Sequence, residues 1–132
     1  MEYKDLIQGM KKFGSTENDI CLHGLSVIPE RIQENVIIAP WWEPSVLPNL
    51  GVAEMLSPPN YAIGVWNIVN DETKITYIRT GIGAPMFLEG LLPLGLTNCK
   101  KIIFYRFCWF TRPQHRYWRY SNSKIFSLWG WY

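Results

Sequence analysis

No apolar run in this chain reaches the ~18 residues that a membrane-spanning helix needs, so no membrane partner is expected. The opening residues, MEYKDLIQGMKKFG, carry Glu2 and Asp5 and lack the apolar core of a secretory signal, which makes the cytoplasm the expected compartment. Cysteine is sparse and scattered. Cys21, Cys99 and Cys108 form neither a CxxC pair nor an even disulfide set, and they read as ordinary reduced thiols. His23 has no second histidine or acid at ligand spacing within DICLHGLSVIP, so it reads as a structural histidine and no metal site is expected. Acidic residues are missing altogether from residues 105 to 132, which hold five Lys/Arg and four of the seven tryptophans. Residues 1 to 104, by contrast, hold eight Lys/Arg against eleven Asp/Glu, a net charge of −3. So abrupt a change marks either a functional tail or an error in the coding message.

What is present fits one α/β domain, since 132 residues at 48% hydrophobic content can build a modest core. Leu6, Ile7, Met10 and Phe13 recur at helical spacing and predict an amphipathic helix over 2–13 that Gly14-Ser15-Thr16 ends. Residues 34–40, ENVIIAP, read as a short buried strand, followed by Trp41-Trp42-Glu43-Pro44 and a helix over 45–54 that Pro48 interrupts. The adjacent tryptophans could stack on a base or sugar, and packing against a neighbouring element is the preferred reading. Residues 61–69 predict a strand, which Asn70-Asp71-Glu72 turns as a hairpin into Lys74–Arg79. Asp71 and Glu72 are neighbours in a turn, so they point apart and read as solvated rather than as an acid/base pair.

The stretch KITYIRTGIGAPMFLEGLLPLGLTNCKKIIF carries the most information. An alternating β-branched strand breaks at Thr80-Gly81-Ile82-Gly83-Ala84-Pro85. A helix with Met86, Phe87, Leu88, Leu91 and Leu92 on its apolar side follows, then a second strand at Lys101–Phe104. Two glycines permit positive φ and close backbone approach, and Pro85 suits a first helical turn. Such strand–turn–helix–strand units build parallel sheets, which place ligands beyond the carboxyl ends of the strands.

This arrangement over residues 34 to 104, strongest from Tyr77 through TGIGAP and LGLTNCKKII, resembles the nucleoside phosphorylase superfamily, which includes purine nucleoside and uridine phosphorylases. The resemblance implies an incomplete mixed sheet flanked by helices. It also implies an ancestral reaction in which inorganic phosphate, as co-substrate and without a further cofactor, cleaves the N-glycosidic bond of a purine or pyrimidine nucleoside. Gly81, Ile82 and Gly83 match the family's ribose-side loop. Nucleoside and phosphate are the implied partners, and an intact member would be a homo-oligomer.

The departures from the family pattern are as informative. Trp41 stands where the family's Gly-Asp-Pro loop has its glycine, no arginine follows before Arg79, and Phe104 stands where a phosphate arginine ends the strand. By resemblance the chain also lacks the phosphate serine and the later region that binds the base and supplies its acid, so no catalytic residue is assigned.

After Phe104 the family continues with Gly-Ser-x-Gly, whereas this chain gives YRFCWFTRPQHRYWRYSNSKIFSLWGWY. Tryptophan has a single codon, TGG, which reads as glycine from its second base. Read from the second base of the Tyr105 codon, the tail can encode IGSVGSLDPNIGIGDIVIPKYSLCGDG, with forced glycines where the family needs them. The expectation is therefore residues 1–104 as the N-terminal part of a phosphorylase-like domain, and 105–132 as a frameshifted, poorly packed tail beside an exposed sheet edge. The chain would be an inactive fragment of a nucleoside-salvage pentosyltransferase. The alternative takes the tail at face value: Arg106, Arg112, Arg116, Arg119 and Lys124 among aromatics could bind single-stranded nucleic acid or an anionic membrane. No RNA-binding signature accompanies them, which disfavours a nucleic-acid partner.

Overall fold

The computed structural model describes residues 2 to 105 and the strand Lys124–Ser127. Within that range the chain forms a mixed α/β sheet with helices packed against it. Strand β1 (Asn35–Ala39) lies at its centre, parallel to both β4 (Lys74–Arg79) and β5 (Lys101–Phe104). Strand β3 (Gly64–Val69) runs antiparallel to β4, and β2 (Val52–Met55) runs antiparallel to β3 at one edge. Strand β6 (Lys124–Ser127) pairs antiparallel with β5, which completes the order β2-β3-β4-β1-β5-β6.

The period-2 alternation of side chains divides the core between the two faces. Val36, Ile38, Val65, Ile78 and Ile102 point to one face, where Leu25, Val27, Ile32 and Leu94 cover them. Ile37, Ala39, Trp66, Ile68 and Tyr77 point to the other, against Leu47 and Leu50. Because β1 is buried on both faces, its sequence is a continuous apolar run rather than an alternation. Each fully buried aliphatic side chain there contributes about 1.5–3 kcal/mol by transfer from water.

Among the described residues, three α-helices flank the sheet. Helix α1 (Tyr3–Lys12) fits its predicted span, with Ile7 buried, while Phe13 ends it exposed. Helix α2 (Glu17–Leu25) occupies the apolar stretch around His23, where no helix was expected. Thr16 caps it: its hydroxyl accepts from the Asp19 amide at 3.2 Å, and its own amide donates to the Asp19 carboxylate at 2.9 Å. Ile20, Cys21 and Leu25 form its buried side. Gly24 lets it approach the 3₁₀ turn Leu92–Leu96, since a Cβ there would lie 2.6 Å from the Pro93 ring. Helix α3 (Ala84–Leu91) follows the glycine turn as expected, with Pro85 in its first turn.

Two expectations are corrected. Residues 45–54 form no helix. Pro44 and Pro48 each start a separate 3₁₀ turn, and Gly51, at φ 132°, leaves helical space and leads into edge strand β2. A Cβ at Gly51 would also lie 2.4 Å from the Val69 carbonyl oxygen, so the close approach needs glycine. The second correction concerns the outer edge of β5. It is not left open, because β6 from the tail pairs with it from Lys101↔Ser127 to Phe104↔Lys124. The strand expected over 61–69 begins at Gly64, after the Pro58-Pro59 loop. The packing expected of the tail, and its basic residues Arg106, Arg112, Arg116 and Arg119, lie outside the described residues.

Burial raises the pKa of four weak acids, among them the Tyr3 phenol, pushed up from 10.0 to about 12. The Cys21 and Cys99 thiols are pushed up from 9.0 to about 11, and the fully buried Tyr77 phenol from 10.0 to about 12. The folded chain therefore favours their protonated forms. Their contribution to stability is complete below pH 9.0 and is lost as pH rises toward about 12. Urea midpoints measured against pH should accordingly be unaffected by these groups through neutrality and fall above about pH 9. A Cys21→Ala, Cys99→Ala double variant should show a shallower fall, and an unchanged alkaline slope would contradict this assignment.

Candidate functional site

Because β1, β4 and β5 are parallel, their carboxyl ends share one side of the sheet, and the amino end of α3 comes to the same place. A pocket of about 220 Å³ lies there. Pro40 lines it just beyond β1, Thr80 and Gly81 just beyond β4, and Phe104 at the end of β5. Gly83, Ala84 and Phe87 of the glycine turn and α3 complete the wall. Backbone bonds carry the ladder past the strand ends and hold this rim. The Thr80 amide donates to Ala39 at 3.0 Å, and the Tyr105 amide donates to Ile38 at 2.8 Å.

The turn has the backbone its glycines predicted. Gly81 and Gly83 sit at φ 84° and 96°, in the left-handed region that side chains disfavour. Both line the pocket, whereas the Ile82 side chain between them is 70% exposed and lines none of it. No side chain caps α3. The Ala84 and Met86 amides of its first turn have no intrahelical partner, and Pro85 has no N–H at all. The site therefore offers backbone donors and an apolar wall; Thr80 is fully buried, and its hydroxyl donates to the Gly81 carbonyl at 3.3 Å.

That wall is aromatic. The Phe87 and Phe104 rings meet edge to face, with centroids 5.0 Å apart and planes at 64°. Phe104 was expected at the strand end, but Phe87 was not expected in the site. Its place is set by helical spacing, four residues after Gly83, whose carbonyl accepts the Phe87 amide at 3.1 Å. Pro40 and Thr80 were likewise not foreseen, because only the sheet order brings them together.

The other candidates lie elsewhere. The Trp41 ring packs edge to face on Trp42 at 5.5 Å, and Trp42 on Tyr105 at 6.4 Å, so the pair engages neighbouring aromatics. Trp41 is nevertheless more than half exposed and does not line the pocket. Arg79 lies on the opposite face of the sheet. Its guanidinium stands 5.6 Å from the Trp66 ring centre and donates to Glu43 Oε1 at 3.0 Å. His23 is exposed on α2, where its backbone carbonyl accepts the Tyr61 hydroxyl. Asp71 and Glu72 are exposed in a turn held by Asn70, whose side-chain oxygen accepts from the Glu72 and Thr73 amides at 3.0 and 2.7 Å.

No family model and no curated protein sequence matches the chain. Solved structures do. Uridine phosphorylase from Vibrio fischeri ES114 is 28% identical over 68% of this chain and 36% of its own, with a TM-score of 0.51. The fold is nucleoside phosphorylase-like. A second structure of that enzyme, complexed with 6-hydroxy-1-naphthoic acid, is 28% identical over 56% of this chain and 31% of its own, with a TM-score of 0.46. Purine nucleoside phosphorylase from Toxoplasma gondii in complex with immucillin-H is 24% identical over 56% of this chain and 30% of its own, also with a TM-score of 0.46. The chain thus spans about a third of the length of the structures it matches.

The strand end before the glycine turn is held by a close helix contact. A Cβ on the buried Gly90 of α3 would lie 2.7 Å from the Thr80 Cγ2. Gly9 in α1, by contrast, has nothing within 4 Å of such an atom. Alanine gains roughly 1 kcal/mol over glycine in a helix, whereas overpacking a close contact costs about 1–3 kcal/mol. Gly9→Ala should therefore stabilise the chain by about 0.5–1 kcal/mol. Gly90→Ala should destabilise it by about 1 kcal/mol. Urea unfolding of both variants checks the pair, and matching signs would show that the Gly90–Thr80 contact does not constrain α3.

Proposed function

We propose that this chain is a nucleoside phosphorylase-like protein that retains the sugar-side wall of a nucleoside pocket and performs no phosphorolysis. The observation that carries the reading is the pocket at the carboxyl ends of three parallel strands, walled by the Gly81 and Gly83 backbone. Glycine at both positions keeps side chains out of the way, so a sugar ring can meet backbone amides directly. Ligand positioning at strand ends is where such sheets place their chemistry.

Inactivity follows from what the reaction would need. Cleaving an N-glycosidic bond with phosphate requires a positioned nucleophile, stabilisation of a cationic sugar and a proton for the departing base. Among the described residues, no Lys, Arg, His, Asp or Glu lines the pocket. Trp41 and Phe104 replace the glycine and arginine that the family resemblance assigns to phosphate. A shifted reading frame after Phe104 accounts for the change in charge and composition. The parental role would be salvage of a purine or pyrimidine nucleoside in the cytoplasm by a homo-oligomer.

Purified chain incubated with inosine or uridine and inorganic phosphate should release no free base above a heat-killed control. Measurable release would overturn the proposed inactivity. Resequencing the locus should reveal one surplus base near the Phe104–Tyr105 codons, and a verified intact frame encoding this tail would refute the frameshift.

A further inference from the structure

Helix α1 is held to the rest of the chain by few contacts. Of its 10 residues only Ile7 is buried, while Tyr3, Leu6 and the adjoining Phe13 keep much of their apolar surface exposed. Its chief polar contact is distant in sequence. The Tyr3 hydroxyl donates to the Leu92 carbonyl at 2.7 Å, at the carboxyl end of α3, where helix carbonyls lack intrahelical partners. The Tyr3 ring lies over Gly95, where an added Cβ would overlap the ring and its hydroxyl. A second contact, Lys11 Nζ to Glu17 Oε1 at 2.7 Å, joins two largely exposed side chains, a kind of pair that contributes little. Between α1 and α2 the chain turns at Gly14, at φ 88°, with open space where a Cβ would stand. Helix α2 grips the same Leu92–Leu96 turn by its own contacts. It buries Ile20, Cys21 and Leu25, its Gly24 meets the Pro93 ring, and the Cys21 thiol donates to the Pro93 carbonyl at 3.7 Å. A helix with one buried side chain beside an open turn belongs at the low end of local stability, and a helix with three lies nearer the core.

We propose that α1 is a latch: it opens about Gly14 while the sheet and α2 stay folded, and Tyr3 is the residue that closes it on the end of α3. The consequence reaches the pocket. Helix α3 carries Ala84 and Phe87 to the pocket wall at its amino end, and its carboxyl end is the one that Tyr3 holds. With α1 open, the Leu92 carbonyl loses its donor and Gly95 loses the ring that covers it, so the last turn of α3 frays together with α1. Gly95 is then glycine for the sake of Tyr3, since its backbone has no positive φ that would require one.

Native-state hydrogen exchange of the ¹⁵N-labelled full chain, followed at rising urea below the unfolding midpoint, tests the latch. The α1 amides should exchange through an opening of lower free energy and shallower urea dependence than that of Ile37 and Ile38 in β1. The amides of Leu88 to Leu91 should share the α1 opening. Coincidence of the α1 amides with Ile37 and Ile38, in rate and in urea dependence, would overturn the proposal, and Leu88 to Leu91 following β1 instead would break its link to the pocket wall. Tyr3→Phe, which keeps the ring and loses the donor, should speed α1 exchange about fivefold. No change in that variant would remove Tyr3 from the closing contact. Gly95→Ala should speed α1 exchange about tenfold or more by displacing the Tyr3 ring. In a Tyr3→Ala chain, with no ring to displace, the same substitution should have less than about a twofold effect. An equal effect in both chains would show that Gly95 serves the turn itself and would count against the latch. Should Gly95→Ala fail to fold, the exchange of the unaltered chain and of Tyr3→Phe decides.

Discussion

The structure depends on β1 being parallel to two strands that follow it at long range. A parallel pair cannot be closed by a tight turn, so the chain must leave β1, travel around the sheet and return twice. One return brings β4 to one side of β1, and the other brings β5 to the opposite side. Burial on both faces pins β1 in register, because a one-residue slip would exchange Val36 and Ile38 with Ile37 and Ala39 across the sheet. Once that register is set, the ends of β1, β4 and β5 must fall together. The pocket is thus a geometric consequence of the parallel core, and its lining is whatever residues stand one step beyond each strand.

Much of this was legible in the order of residues. Val36 to Ala39 and Lys74 to Arg79 carry strand patterns, the Asn70 turn forces a hairpin, and Gly81 to Pro85 announces the passage into α3. The signals that failed were those in which local pattern and tertiary setting disagree. Helix α2 hides in the mixed stretch around His23, whose polar and apolar residues separate poorly around a helix. The Thr16–Asp19 capping pair was its one clear mark. Strand β2 is exposed along its length, so no burial pattern exists to be read, and pairing with β3 alone makes it a strand. In the site, Gly81 and Gly83 were legible because backbone need is written in residue type. Phe87 and Pro40 were not, since they meet only after β1 and β4 align. Ile82 belonged to the same turn, yet its exposed side chain takes no part in the wall.

Arg79 shows how a charged residue near a site can have no business in it. It ends the strand that leads into the glycine turn, and proximity in sequence favours a role in binding. Alternation along β4 instead gives it the face of Tyr77 and Ile75, while Thr80 and Ile78 face the helices. There it covers Trp66 and pairs with the largely exposed Glu43, a contact of the kind worth no more than about 1 kcal/mol. Its contribution is to packing on the second face, where Tyr77 also donates to the Trp42 carbonyl at 2.8 Å.

The pairing of β6 with β5 shows how little a sheet edge asks of the sequence that covers it. The outer edge of β5 presents amide and carbonyl groups that need partners, and any extended segment supplies them, because ladder bonds are made by the backbone. If residues 105–132 are read from a shifted frame, as proposed, Lys124–Ser127 meets that demand with a sequence never selected for it. A pocket rim has no such tolerance. Each position beyond a strand end must present a particular donor, cation or gap, and at the end of β5 that position is taken by the Phe104 ring. Backbone-satisfied architecture is therefore the last feature that such a chain would lose, and side-chain chemistry at the strand ends the first.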